Sequence, residues 1–182
     1  EKQLEFLTIV ELVHNASLIH DDIIDESAIR RGNSTINAEF NNKLAVIAGD
    51  YILAISMAKL ADIGNIELIK MFSATIQKMC VGEINQNFDR YKIGTLEDYI
   101  EKTKNKTAYL FELALIGCAM LSDKQYNLEN ISNLGLNIGI AFQIRDDLIN
   151  MTSSDKLKPS DRLRRVLKHG TLSIGFIGLA ET

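Results

Sequence analysis

Residues 4–26 read LEFLTIVELVHNASLIHDDIIDE, and the fold is decided there. Phe6, Ile9, Val10, Val13 and Ser17 recur at steps of three and four, the spacing that places side chains on one face of an α-helix. No proline interrupts the stretch, and the single proline of the 182 residues is Pro159. A proline inside a helix costs about 3 kcal/mol, so nothing before position 159 opposes helix on that ground. Runs of β-branched residues alternating between turn clusters, the mark of strands, are missing. The pattern predicts an all-α fold.

Outward from this helix, a polar loop is expected over 30–35 with Gly32 as its pivot. A second helix follows over 43–63 and stops at Gly64. Asn65 is placed to cap a third over 66–91, with Glu67 in its first turn. Gly94 breaks that helix, and Thr95-Leu96-Glu97-Asp98 has the form of a capping box for a short one. Further helices are expected over 106–121 and, capped by Asn127, over 128–150. Residues 1–150 therefore form one helical domain. Residues 151–182 form a separate segment, basic from Asp161 and then glycine-rich and apolar, with no assigned structure.

Composition narrows the function. The chain is 46% hydrophobic, which argues against disorder, and its net charge of −4 gives no reason to propose nucleic acid or an anionic membrane surface as partner. No segment reaches the roughly 18 uninterrupted apolar residues of a membrane span, so no stable span is expected. Cys80 and Cys118 lack zinc-site spacing and read as two buried thiols in a reducing compartment, cytoplasmic or organellar. The chain opens on Glu-Lys-Gln and enters helical periodicity at once, so an incomplete N-terminus is expected.

The chemistry starts at His20-Asp21-Asp22-Ile23-Ile24-Asp25-Glu26. Asp21 and Asp25 are four apart and share a helix face. They repel one another, and they lie late in the helix, where the macrodipole disfavours negative charge. A hard divalent cation compensates both costs; a solvated acidic helix end is the other reading of this motif alone. Arg145-Asp146-Asp147-Leu148-Ile149-Asn150 repeats the pattern after the apolar Gly139-Ile140-Ala141-Phe142, which should be buried. Two such motifs on separate helices can face each other across a cavity and hold Mg²⁺, which in turn binds substrate phosphates. Arg30-Arg31-Gly32 offers bidentate phosphate ligands; two exposed arginines in a loop is the other reading of this motif alone. Lys106-Thr107 opens a helix and sets a cation and a hydroxyl near an N-terminus, where anions are favoured. Gln143, one turn before Asp147, can direct a carbonyl into the same space.

These residues resemble the trans-isoprenyl diphosphate synthases, the head-to-tail polyprenyl chain builders. The similarity runs in order through Ser17–Asp25 and Arg30-Arg31-Gly32, then Ala48-Gly49-Asp50-Tyr51, Gly82-Glu83-Ile84-Asn85-Gln86, Lys106-Thr107-Ala108 and Gly139–Asp147. The resemblance implies the isoprenoid synthase (terpene synthase class I) helical bundle around a central cavity. It implies an enzyme that condenses isopentenyl diphosphate with an allylic diphosphate, uses three Mg²⁺ ions per active site, and works as a homodimer. Asp21 and Asp25, supported by Asp22, would ligate metal on one wall, and Asp146 with Asp147 on the other. Arg30 and Lys106 would hold the allylic diphosphate and Arg31 the isopentenyl diphosphate, and residues 82–86 would belong to the cavity wall, with Gln86 near the phosphates. Thr107 and Gln143 would flank the allylic carbocation. Ala16 and Ser17, one turn before Asp21, are small where bulky residues give short products. With Ile9, Leu12 and Val13 on the same helix, a product longer than C15 is expected.

Three departures accompany the resemblance. The Gly-Lys-x-x-Arg-Pro element that precedes the first motif in the family is absent from this sequence. Asn150 stands where aspartate is usual, without charge for the metal. Leu157-Lys158-Pro159 lacks the family's glycine, with Lys158 the phosphate ligand the resemblance implies there, and the tail matches poorly. Two alternatives fit parts of the pattern. A non-catalytic or regulatory subunit of a heteromeric prenyl synthase would typically lose the aspartates or arginines retained here. A class I terpene cyclase would lack Arg-Arg-Gly.

Overall fold

In the computed structural model, residues 1–88 and 95–152 are described, the side chains at 87 and 150–152 excepted. Gly94, the Asn150 side chain, Lys158, Pro159 and the tail beyond 161 lie outside the described residues. The elements are α1 (Lys2–Ile24), β1 (Ile29–Arg30), β2 (Asn33–Ser34), α2 (Ile36–Glu39), α3 (Asn42–Ile63), α4 (Ile66–Phe88), α5 (Leu96–Thr103), a π-helical turn (Lys104–Ala108), α6 (Tyr109–Met120) and α7 (Leu128–Thr152). The fold is all-α. The chain divides into two compact units, Glu1–Lys70 with Gly117–Gln125, and Met71–Ile116 with Tyr126–Thr182.

In the first unit α1 packs on α3 and α2. Phe6, Ile9, Val10, Val13 and Ala16 form the buried face of α1, while Ser17 is only half-buried and donates its hydroxyl to the His14 carbonyl at 2.8 Å. Phe6 is fully buried against Gly117, whose Cα leaves no room for a side chain; burying such a ring is worth about 1.5–3 kcal/mol. Ala45, Gly49, Ser56, Leu60 and Ile63 line the inner face of α3. A Cβ at Gly49 would lie 2.3 Å from His20 Nε2, so the glycine admits the imidazole.

The local signals act as expected. Asn41 and Asn65 accept the backbone N–H of Leu44 and Leu68, and Gly64 ends α3 at φ 75°. The outer face of α3 exposes Val46, Ile47, Tyr51 and Met57. By length and composition alone α3 is apolar enough to cross a membrane, with a mean hydropathy of 1.7. Asp50 and Lys59 break it, so it holds no uninterrupted apolar run of the length a span needs.

In the second unit, Thr95 and Asp98 form the expected capping box at the start of α5. The helix expected to open at Lys106 does not open there. α5, the π turn and α6 are continuous, and the Tyr109 amide donates to the Lys104 carbonyl. Lys106 and Thr107 therefore ride on a bulge inside a helix, and no N-terminal amides are available to an anion. α7 lies against this bulge and is admitted by two glycines one turn apart. A Cβ at Gly139 would sit 2.4 Å from Ala108 Cα, and one at Gly135 2.6 Å from Glu112 Cα.

Two other expectations change. Phe142 is 48% exposed, with its ring 5.5 Å from that of Phe111, because Gly139 rather than the whole apolar stretch faces inward. Cys80 is exposed on α4, and Cys118 is partly buried, which pushes its thiol pKa up.

Candidate active site

The first acidic motif is built into the stop of α1. Glu26 adopts the left-handed conformation (φ 52°), its amide donates to the Ile23 carbonyl at 3.2 Å, and the Ser27 amide donates to the Asp22 carbonyl at 2.9 Å. This Schellman arrangement satisfies the last carbonyls of the helix and turns the chain back. The return path is a short hairpin, Ile29↔Ser34 and Arg30↔Asn33, where a loop was expected. Its two central residues, Arg31 (φ 51°) and Gly32 (φ 84°), make a type I′ turn. Arginine in that region costs about 1–3 kcal/mol. Thr35 locks the base, its hydroxyl donating to the Ser27 carbonyl at 2.7 Å.

The hairpin separates the two arginines. Arg31 stands exposed at the tip. Arg30 turns back onto Asp22, with Nε 2.9 and 3.0 Å from the two carboxylate oxygens and a terminal nitrogen 2.8 Å from Oδ1. The hydrogen bond to Asp22 is the main cause that raises the Arg30 pKa, against the opposing effect of partial burial, and the fields of Asp22, Asp21 and Asp25 add to it. Asp22 is 6% exposed. The sequence pattern groups it with metal ligands; in the structure its oxygens serve a guanidinium. Asp21 and Asp25 are half-exposed at the end of the helix, which has no basic residue in its last turn.

The second motif has the same division. Asp146 is exposed. Asp147 is buried, and its two oxygens accept from Tyr99 Oη at 2.6 Å and from Gln143 Nε2 at 3.0 Å. Gln143 Oε1 accepts from the Thr107 hydroxyl at 2.7 Å. Burial first, and then Asp147, push the Tyr99 pKa far above its ordinary value, so the phenol remains a donor. Three expected site residues, Thr107, Gln143 and Asp147, are thus joined in one chain, with Tyr99 as its unforeseen end.

Lys106 Nζ lies 3.7 Å from Glu83 Oε2, and Gln86 Nε2 is 3.5 Å from Glu83 Oε1. Two expected phosphate ligands, Lys106 and Gln86, therefore converge on one carboxylate. Gly82 allows this approach, since a Cβ there would meet Asn105 Cβ at 2.6 Å. Glu83 was expected only as part of the cavity wall, not as the partner of Lys106 and Gln86. Tyr99 carried no signal, because its partner is 48 residues away.

Among the described residues no three His, Cys, Asp or Glu side chains gather to hold a metal by themselves. Mg²⁺ at phosphate sites takes one or two carboxylates and completes its shell with phosphate oxygens and water. Asp21 and Asp25, oxygen donors one turn apart and open to solvent, fit that kind of ligation, as does Asp146.

The polyprenyl synthetase family profile matches residues 1–160. A prenyl transferase of Cyanidium caldarium is 40% identical over 177 residues, 94% of this chain and 53% of that protein. The all-trans-nonaprenyl-diphosphate synthase (geranyl-diphosphate specific) of Rhodobacter capsulatus is 40% identical over 146 residues, 80% of this chain and 45% of that one. The crystal structure of heptaprenyl diphosphate synthase from Staphylococcus aureus superposes with a TM-score of 0.88 at 27% identity, covering 100% of this chain and 57% of that one. The chain spans about half the length of these relatives. With residues 1–160 matched and the ordered signatures in place, the chain belongs to the polyprenyl synthetase family.

Proposed function

We propose that this chain serves a trans-prenyltransferase that adds isopentenyl diphosphate head-to-tail to an allylic diphosphate and makes a polyprenyl diphosphate longer than C15. The observation that carries the proposal is the bulge that displays Lys106 and Thr107 together, with Thr107 bonded through Gln143 to the second acidic motif. The names of the relatives, nonaprenyl and heptaprenyl diphosphate synthases, support the long product.

Mg²⁺, which we propose as the cofactor, would neutralise the diphosphate and so make it a leaving group. Asp21, Asp25 and Asp146 would hold it. Arg30, kept rigid and charged by Asp22, and Lys106, steered by Glu83, would bind the diphosphate oxygens of the primer. Arg31, at the hairpin tip, would take the isopentenyl diphosphate. Thr107 and Gln143 would set oxygen atoms beside the electron-poor allylic carbon when the C–O bond breaks and its electron pair leaves with the diphosphate. The isopentenyl π electrons would form the new C–C bond, and the proton lost from that unit would go to the released diphosphate. The protein contributes positioning and electrostatics rather than a nucleophile. We further propose that the exposed apolar face of α3 packs against a second copy of the chain.

The test is the full chain incubated with labelled isopentenyl diphosphate, an allylic primer and Mg²⁺, with products separated by chain length. Elongation that stops on chelation and returns with Mg²⁺ is expected. No elongation, or release of a cyclic hydrocarbon, would overturn the proposal.

A further inference from the structure

The hydrogen bonds around Asp147 have a direction as well as a position. A carboxylate only accepts. Gln143 must therefore turn its NH₂ to Asp147 Oδ1, at 3.0 Å, which aims its Oε1 at Thr107. The Thr107 hydroxyl, 2.7 Å from Oε1, must then donate to it. A hydroxyl has one hydrogen, and this bond uses it; only lone pairs remain on the Thr107 oxygen. Tyr99, 6% exposed, donates to the other Asp147 oxygen at 2.6 Å and holds the carboxylate in place from α5. The polarity of the whole chain thus starts from the one member that cannot donate.

We propose that Asp147, anchored by Tyr99, is a positioning residue that sets the polarity of the Gln143–Thr107 pair, so that Thr107 offers lone pairs and not a hydroxyl hydrogen to a cationic substrate carbon. This rests on the prenyl-transfer reading above. A hydrogen pointed at a developing cation repels it, whereas an oxygen lone pair stabilises it, and such fixed dipoles weigh most where water is excluded. Asparagine at 147 has the same shape but both donates and accepts, so it leaves Gln143 free to turn over. The role differs from metal ligation and from simple attachment of α5 to α7, and each makes its own kinetic mark.

The experiment compares D147N, T107V and the double variant with the wild-type full chain. D147N is expected to lower kcat by up to about 100-fold, because the dipole is left unoriented but not removed, and complete loss of one costs about 100-fold to 1000-fold. The KM of each diphosphate and the Mg²⁺ activation midpoint should stay within about twofold, since uniform binding is untouched. On the T107V background the further loss from D147N should shrink below about threefold, because no hydroxyl remains to be oriented. A Mg²⁺ midpoint raised about tenfold or more would make Asp147 a metal ligand and overturn the proposal. Equal losses from D147N on both backgrounds would reduce it to helix attachment and overturn it as well. Should D147N fail to fold, Y99F replaces it in the same cycle, with the same shrinkage expected. A readout without turnover separates this inference from the proposed function. In the ¹⁵N spectrum of the full chain the Gln143 side-chain amide should exchange slowly, and faster in Y99F. An unprotected Gln143 amide overturns the bond order even if the chain elongates; a protected one upholds it even if elongation fails.

Discussion

Gly139→Ala tests how closely the site depends on helix approach. The added Cβ would lie 2.4 Å from Ala108 Cα and 2.9 Å from Ala108 Cβ, both on the π turn, while ordinary contact begins at 3.4 Å. The Ala108 Cα is backbone and has no rotamer to yield. α7 must therefore back away by about 1 Å, a typical overpacking adjustment that costs about 1–3 kcal/mol. For a chain of this length that lowers the melting temperature by about 2–12 °C. The same shift stretches the Thr107–Gln143 bond from 2.7 Å to about 3.7 Å, beyond hydrogen-bonding distance. A 1 Å misplacement of this kind costs about 100-fold in turnover. Circular dichroism melts and steady-state elongation measure the two effects on one preparation. Gly64→Ala is the control. It also strains a glycine, at φ 75°, but meets no atom within 4 Å; it should cost about 1 kcal/mol and leave turnover unchanged. If G139A melted and elongated like the wild type, the claim that the bulge and α7 are held at contact distance would fail.

Asp22→Asn should weaken the grip on Arg30. Removing one partner of a buried pair costs about 3–5 kcal/mol, but Arg30 is 36% exposed, so about 1–3 kcal/mol is expected in a denaturant titration. The KM for the allylic diphosphate should rise about tenfold with the Mg²⁺ midpoint unmoved; an unchanged KM with a raised midpoint would return Asp22 to the metal ligands. Ser17→Phe and Ala16→Phe should both shorten the product. Ala16 is 3% exposed, so phenylalanine there also costs about 1–3 kcal/mol in overpacking, and S17F, at a half-buried position, is the cleaner variant. Chromatography that shows wild-type chain lengths from S17F would refute the role of this position.

Much of the architecture was legible because it is local. Asn65, Asn127 and Thr95 cap helices through bonds that span three residues, and Gly64 stops one through its own φ. The buried face of α1 follows from period alone, as do the two acidic motifs. The setting of Lys106 and Thr107 was not legible. A helix start and a π bulge present the same residues, and the difference lies in the partners of the backbone amides.

What the chain alone determined is therefore the run of helices, their caps and the identity of the acidic and basic residues, since each depends on neighbours within about one turn. Only tertiary packing decided which aspartate of each pair is turned inward. Asp22 is claimed by Arg30 across 8 residues, and Asp147 by Tyr99 across 48. A buried carboxylate needs donors, and which donors reach it is set by how closely helices approach. At Gly135 and Gly139 that approach is permitted by the absence of a side chain, which becomes informative once the opposing backbone is in view.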